Sequence, residues 1–403
     1  MFFKKKEYNN QFYLYAQNFI NILFPLIVFF YLIPIVGKEK FGVIIYYQTI
    51  TSLIALFIDF GFDILGIQLI SRFNTNYLSN KILVNTLFFK SILIIISLII
   101  ILLFIPYNSI LIYSLWVPIF SVFFPQWYFI GMKLLKKATH IAILHKIIII
   151  ILLLFFVKTP TDFNKIPLAF FISTIMMIIY IFSFKIFDLK LNQISLKHIR
   201  FLFRYMFKTY ISTLLFLVVK SLPKVLLGKL GLFEFVTYFD LSEKLSKFLK
   251  IPNQITTRLL IQKFTLNFNY KTLIYFFKRS LMFTFFMLSV FNLLLEKIIL
   301  FLDFPLNHQL IYSCRLLSIA VFFVFLNNVL GQQVLVSLNK FEAYYKSLFY
   351  SSIISLIIFL ILYILNFVNP ISLAFNLVFM EIMVLIFLLV NYFKNNRYAQ
   401  KTV

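Results

Sequence analysis

Cysteine is nearly absent from this chain. Cys314 is the only one in 403 residues, so no intramolecular disulfide can form and the redox compartment is not readable. Glycine occurs eight times and tryptophan twice. No Gly-rich phosphate-cradling loop and no Walker motif is present, so no ATPase or other soluble-enzyme site is expected. Acidic residues are scarce as well, 13 Asp and Glu against 38 Lys and Arg. The four histidines, His140, His145, His198 and His308, fall at no metal-binding spacing. Neither a metal nor a cofactor is expected.

What the chain has in quantity is apolar sequence. It is 62% hydrophobic and only 13% charged, and Phe alone accounts for 56 residues. A soluble domain would need a far more polar surface. Twelve apolar stretches can be drawn, at 12–35, 42–66, 84–105, 109–131, 138–157, 166–187, 207–228, 232–254, 280–302, 309–336, 343–365 and 371–393. Each is long enough to cross a bilayer as a helix. The basic segment Met1 to Glu7 precedes a run that starts among Asn and Gln and shows no small-residue cleavage site. It reads as a retained first helix rather than a signal peptide.

The placement of the basic residues matters more than the net charge of +25. Alternate gaps between spans hold Lys4, Lys5 and Lys6; Arg72 and Lys81; Lys133, Lys136 and Lys137; Lys185, Lys190, Lys197, Arg200, Arg204 and Lys208; Arg258, Lys263, Lys271, Lys278 and Arg279; Lys340 and Lys346; and Lys394, Arg397 and Lys401. The other gaps hold only Lys38, Lys40, Lys158, Lys165, Lys229 and Lys297. A split of 24 to 6 puts both termini on the cytoplasmic side. Basic residues confined to short loops point to anionic membrane lipids as partners and not to nucleic acid. The outer loops are too short to form a catalytic domain. The expected fold is all-α, a polytopic membrane protein of about twelve helices in two six-helix bundles around a central cavity. Its expected divisions are a bundle at 1–187, a cytoplasmic connector at 188–206, the longest polar stretch, and a second bundle at 207–403.

Ionisable residues inside spans carry the functional signal, because each is costly in hydrocarbon and faces a bundle interior or a wet cavity. Asp59 and Asp63 lie four apart on one helix face. They read as a cation or proton site, as partners for a lysine, or as an interfacial helix end. Lys90 is placed to snorkel to the interface. His145 and Lys146 suggest a proton site or a helix end. Lys220 lies deep in span seven, with Lys224 one turn on across Pro223. Span eight is the most unusual, with Tyr238, Asp240, Glu243, Lys244, Lys247 and Lys250. Asp240 with Lys244, and Glu243 with Lys247, have the spacing of helical ion pairs. Such a helix either lines a hydrated cavity or lies along the interface. Arg315, Asn327, Asn328, Gln332 and Gln333 follow along span ten, where amides suit either sugar hydroxyls or helix–helix adhesion. Glu381 is the one ionisable residue within span twelve.

These features resemble the Wzx-type polysaccharide repeat-unit flippases of the multidrug/oligosaccharidyl-lipid/polysaccharide exporter superfamily. The resemblance rests on Asn21-Ile-Leu-Phe-Pro25 with Tyr31, Gly37 and Phe41-Gly42; on Asp59-Phe-Gly-Phe62 with Ile70-Ser71; on Phe124-Pro-Gln-Trp-Tyr-Phe-Ile-Gly131; and on Tyr238-Phe-Asp-Leu-Ser-Glu-Lys244 with Pro252-Asn-Gln254. These occur in order along nearly the whole chain. Two departures stand out. Ile67-Gln68-Leu69 replaces a Thr-Arg-Glu usual in the family, and Leu241-Ser242 replaces Ala-Ala.

The resemblance implies an oligosaccharide linked by pyrophosphate to undecaprenol, flipped to the outer leaflet of the bacterial inner membrane by a multi-pass transporter that is not an enzyme. Polymerase and chain-length machinery would be its neighbours. Lys220, Lys224, Lys244, Lys247, Arg315, Asn327 and Gln332 are the expected substrate contacts. Asp59, Asp63, Asp240 and Glu243 are the expected ion-coupling groups. A multidrug or cation antiporter of the same superfamily is the main alternative. A polysaccharide polymerase or lipid-linked glycosyltransferase is a further one.

Overall fold

A computed structural model describes residues 2–62, 66–67, 69–70, 76–104, 108–184, 187, 191–266, 270–302, 304–338 and 340–400. Among them no strand occurs. The reason is the solvent: in a bilayer every backbone N–H and C=O must be satisfied within its own segment, and a helix does this. Eleven of the helices are long and apolar enough to cross a membrane. Their outward faces carry Phe155, Met282, Phe285, Phe286, Leu293 and Leu360, all largely exposed. In water such surfaces would aggregate, whereas lipid solvates them. The chain is a multi-pass membrane protein.

The chain divides into two units, Met1–Leu214 and Leu215–Val403. The first begins with α1 (Phe2–Val36) and α2 (Lys38–Asp59), separated by Gly37 at φ +81°. α2 stops where Phe60 and Gly61 turn to φ +54° and +78°; only glycine takes up this left-handed backbone readily. Next come α3 (Asn76–Phe104) and three short helices, α4 (Ser109–Ser114), α5 (Trp116–Phe123) and α6 (Gln126–Gly131). The Asn108 side chain caps α4 by accepting from the Ile110 and Leu111 amides. Pro125 stands at the start of α6, where a missing N–H costs least. α7 (Leu135–Phe156) and α8 (Lys165–Ser183) follow. α9 (Leu196–Lys229) then enters the second unit at Leu215. Its first turns, at 196–206, lie within the polar stretch that sequence reading set down as a connector.

The core of the first unit is aromatic. Phe60, Phe62, Trp127, Tyr128, Phe129 and Tyr210 are all buried in one cluster with Ile70 and Met177. Two of the sequence signatures meet there. A Cβ on Gly66 would stand 2.8 Å from the Trp127 ring, and one on Gly131 would stand 2.6 Å from Ile70. Glycine lets the two segments approach this closely. The signatures around Asp59–Phe62 and Phe124–Gly131 thus serve packing within this unit.

The second unit continues with α10 (Phe233–Leu266), α11 (Tyr270–Phe301) and α12 (His308–Asn327). A π-helical segment, Asn328–Val336, prolongs α12. α13 (Phe341–Ile364) and α14 (Pro370–Gln400) complete it. α10 packs against α12, α12 against α14, and α13 against α14. α10 is the helix expected as span eight. It is absent from the eleven apolar candidates because its charges exceed what a lipid-exposed span tolerates. The eleven apolar helices together with α10 make up the twelve spans drawn from the sequence.

Candidate functional site

The charged face of α10 organises the second unit. Asp240, Glu243, Lys244, Lys247 and Lys250 recur every three or four residues, so they share one side of the helix. Pro223 within α9 and Pro252 within α10 each remove a backbone hydrogen bond near this face. Lys224 of α9 reaches both α10 carboxylates, Glu243 at 2.8 Å and Asp240 at 3.3 Å. Lys244 pairs with Asp240 at 2.6 Å, and Lys247 lies 3.5 Å from Glu243. Asp240 is 7% exposed. Burying such a carboxylate is tolerable only with cations at hand.

A second group joins the same face from α14. Lys220 pairs with Glu381 at 2.9 Å and sits 4.1 Å from the centre of the Phe216 ring. Asn327, at the end of α12, is buried and donates to the Glu381 carboxylate at 2.8 Å and to its backbone carbonyl at 3.0 Å. The π segment then ties three helices together. Gln333 donates to Thr257 of α10 at 3.0 Å, and Gln332 donates to Tyr344 of α13 at 3.3 Å. A Cβ on Gly331 would come within 2.6 Å of the Tyr344 ring. π-helical turns recur at functional positions, where widened backbone re-aims side chains. Here it carries Gln332 and Gln333 to different helices, α13 and α10.

The expected site residues therefore fall into distinct places. Lys220, Lys224, Lys244, Lys247, Asp240 and Glu243 form one array, in which expected substrate contacts and expected ion-coupling groups hold one another. Asn327 joins it through Glu381. Gln332 braces the π segment. Arg315 stands apart on α12, bonded to Glu296 of α11 at 3.0 Å and stacked near Tyr312. The family-like Tyr238–Lys244 stretch also packs: Tyr238 is buried and donates to Glu234, while Ser242 meets Ser313 and Cys314 of α12. Two members of the array were outside the expected set. Glu381 stands alone in sequence as the one ionisable residue of span twelve, and only its meeting with Lys220 gives it a role. Lys250 could have been found from its spacing to Glu243 and Lys247.

Among the described residues the first unit holds fewer intramembrane ion pairs. Asp59 pairs with Lys90 of α3 at 2.7 Å, and Lys90 lies 5.0 Å from the centre of the Phe62 ring. The expectation that Lys90 snorkels to the interface is corrected: it is buried and paired with Asp59, because a carboxylate on the neighbouring helix compensates its charge within the unit. Asp63 lies outside the described residues. His145 of α7 is buried, stacked on Phe120 at 4.2 Å with Ser173 within 3.2 Å. Lys146 donates to Asn21 and lies over the Phe24 ring.

Counted together, five ammonium groups on α9 and α10 face three carboxylates, a surplus of two positive charges among the described residues. A family profile described as "Polysaccharide biosynthesis protein" matches residues 8–251, more than half of the chain. The chain belongs to the polysaccharide biosynthesis protein family. The chain is also similar to a candidate O-antigen transporter of Escherichia coli (strain K12), 32% identical over 162 residues. That match covers 38% of this chain and 39% of the relative, so the chain spans under half the length of the curated relative it matches. Solved structures extend the likeness in fold. An inward-facing multidrug resistance MATE family transporter of the MOP superfamily superposes with a TM-score of 0.73, covering 98% of this chain and 96% of that one at 13% identity. A MATE protein in complex with MaL6 gives 0.66 at 11% identity, covering 98% and 97%. This chain thus has the all-helical membrane fold seen in those transporters, in agreement with the resemblance to Wzx-type members of that superfamily.

Proposed function

We propose that this chain translocates undecaprenyl-pyrophosphate-linked oligosaccharide repeat units across the bacterial cytoplasmic membrane for surface polysaccharide synthesis, O-antigen or capsule. It does so as a transporter working by alternating access, and it catalyses no reaction. The observation that carries this reading is the surplus of positive charge on the α9 and α10 face. At low dielectric an anionic headgroup gains strongly from such a face, and charge-assisted contacts supply the affinity. Membership of a polysaccharide family and the O-antigen relative support the sugar-bearing part. The isoprenoid tail stays in lipid.

The MATE-type fold agrees equally with a multidrug or cation antiporter. The charges favour the anionic substrate. Asp240, Glu243 and Glu381 are each held by lysine, so an incoming cation would meet ammonium groups first. With no ATP-binding motif, ion gradients or removal of product outside supply the energy. Protonation of Asp240 or Glu243 would release Lys224, which is how these carboxylates would couple an ion to the substrate. Asp59 and Lys90 would act in the same way in the first unit. Polymerase and chain-length proteins would receive the product.

The test is genetic and biochemical. A strain lacking the chain and any paralogue should accumulate lipid-linked repeat units on the cytoplasmic face, and the wild-type chain should restore surface polysaccharide. Normal polysaccharide in the deletion strain would overturn the reading.

A further inference from the structure

The seam between α11 and α12 changes character along its length. By the loop charges, α11 runs from the cytoplasmic to the outer side and α12 runs back. At the outer end Arg315 donates to Glu296 at 3.0 Å, with 41% and 54% of the two side chains exposed. The Tyr312 ring lies 5.9 Å from the Arg315 guanidinium, and His308 stacks on Tyr312. One turn deeper, Asn292 of α11 donates to Ser318 of α12 at 3.0 Å. Below that the two helices part. A groove of about 410 Å³ opens there, walled by Phe285, Leu288, Asn292, Ile319, Phe322 and Phe323. Its size is that of a ligand cleft, roughly 300–1,000 Å³. The wall residues recur every three or four positions and continue the rows of Glu296 and Arg315, so charged pair and groove share one face.

Helix length sets the depth. α11 has 32 residues, about 48 Å at 1.5 Å of rise each, against about 30 Å of hydrocarbon. Glu296 stands five residues, about 7.5 Å, before its end at Phe301. The pair therefore sits near the level where headgroups meet chains, which is also where tyrosines such as Tyr312 collect. The groove lies in hydrocarbon. A half-exposed pair is weakly held and opens at little cost. Its two charges cancel, so a simple anion would gain Arg315 but be repelled by Glu296. A zwitterion carrying phosphate and ammonium keeps all four charges paired, and the guanidinium fork suits phosphate oxygens. Lys297 follows Glu296 but falls on another part of the helix surface. We propose that this seam binds one membrane phospholipid with a primary ammonium headgroup, its phosphate on Arg315, its ammonium on Glu296 and one acyl chain in the groove. Arg315 is then a contact for a resident lipid and not for the cargo. None of this rests on the transport reading, since neither Arg315 nor Glu296 belongs to the array on α10.

The experiment is native mass spectrometry of the purified full-length chain, freed of lipid in detergent and titrated with phosphatidylethanolamine, phosphatidylglycerol or phosphatidylcholine of equal chain length. Wild type should take up one phosphatidylethanolamine saturably, about tenfold or more tighter than phosphatidylglycerol. Phosphatidylcholine should also bind less tightly, because its quaternary ammonium has no N–H to donate to Glu296. R315Q should weaken phosphatidylethanolamine about tenfold. E296Q should erase the preference and bring phosphatidylglycerol level. L288W, which fills the groove, should weaken every lipid alike, and K229M should change nothing. The exchanged pair R315E with E296R should recover most of what R315E alone loses. R315K, which keeps the charge and loses the fork, should fall between, and it serves if R315Q does not run as a folded monodisperse species. Equal wild-type affinity for phosphatidylethanolamine and phosphatidylglycerol would overturn the proposal. So would wild-type binding by both R315Q and E296Q, or no saturable uptake. Tighter uptake of a polyprenyl phosphate than of phosphatidylethanolamine would overturn it too and give the groove to a carrier lipid.

Discussion

The two units of this chain solve the same problem in opposite ways. The first packs spans around aromatic rings and two close-approach glycines, and among the described residues it carries one buried ion pair, Asp59 with Lys90. The second surrounds α10 with charge, amides and serines, and its helices meet through Lys224, Glu243, Glu381, Asn327 and Gln333. Dispersion between fitted side chains holds the first. The second has an apolar core too, but paired charges run through it, and removing one partner leaves the other stranded in low dielectric. The first unit is therefore built to keep its shape. The second is built so that a change of charge can alter its contacts.

That comparison can be broken most forcefully at Trp127. Trp127→Ala should cost about 3–5 kcal/mol in the first unit, read from unfolding of the purified protein in mixed micelles. A loss under about 1 kcal/mol would remove the aromatic core as its support. Next in size is Glu381→Leu, expected to cost about 3 kcal/mol by stranding Lys220. The double variant Lys220→Leu with Glu381→Leu should recover most of that. If the double were as unstable as the single, the pair would not be the element that matters. Asp59→Leu should behave likewise in the first unit but more mildly, about 2 kcal/mol, because Asp59 is less enclosed. Asp59→Leu with Lys90→Leu should keep transport in the deletion strain if the pair is structural alone. Loss of transport in a stable double variant would give the first unit a coupling role. The smallest effect belongs to the exposed pair Glu342 and Lys346, where Lys346→Ala should change stability by no more than about 0.5 kcal/mol.

Much of the site could be read one helix at a time. The four-residue spacings of Asp240 with Lys244 and Glu243 with Lys247 foretell pairs within α10, and both are present. Nothing in spacing foretells that Lys224 would take both carboxylates from another helix, because that depends on how α9 faces α10. Asp59 is similar. A lysine partner is among the readings its sequence leaves open, but spacing does not say which lysine, and it is Lys90, 31 residues away. Glu381 is far from every other residue of the array along the chain. It becomes legible only when α14 brings it to Lys220 and Asn327. The amides of span ten look alike in sequence, yet Asn327 serves the array, Gln332 braces a tyrosine and Gln333 reaches α10. A π-helical turn, invisible to a periodicity of 3.6, decides that division.

The amino-acid sequence by itself determined the solvent and marked out the apolar helices that meet it. Both follow from local properties, since hydrocarbon accepts only long apolar helices and each stretch announces itself without its neighbours. It also singled out α10 as the helix that lipid alone could not hold. The tertiary structure decided which charges cancel. Cancellation is a matter of a few ångströms between separate helices: Lys224 of α9 meets Asp240 and Glu243 of α10, and Lys220 of α9 meets Glu381 of α14.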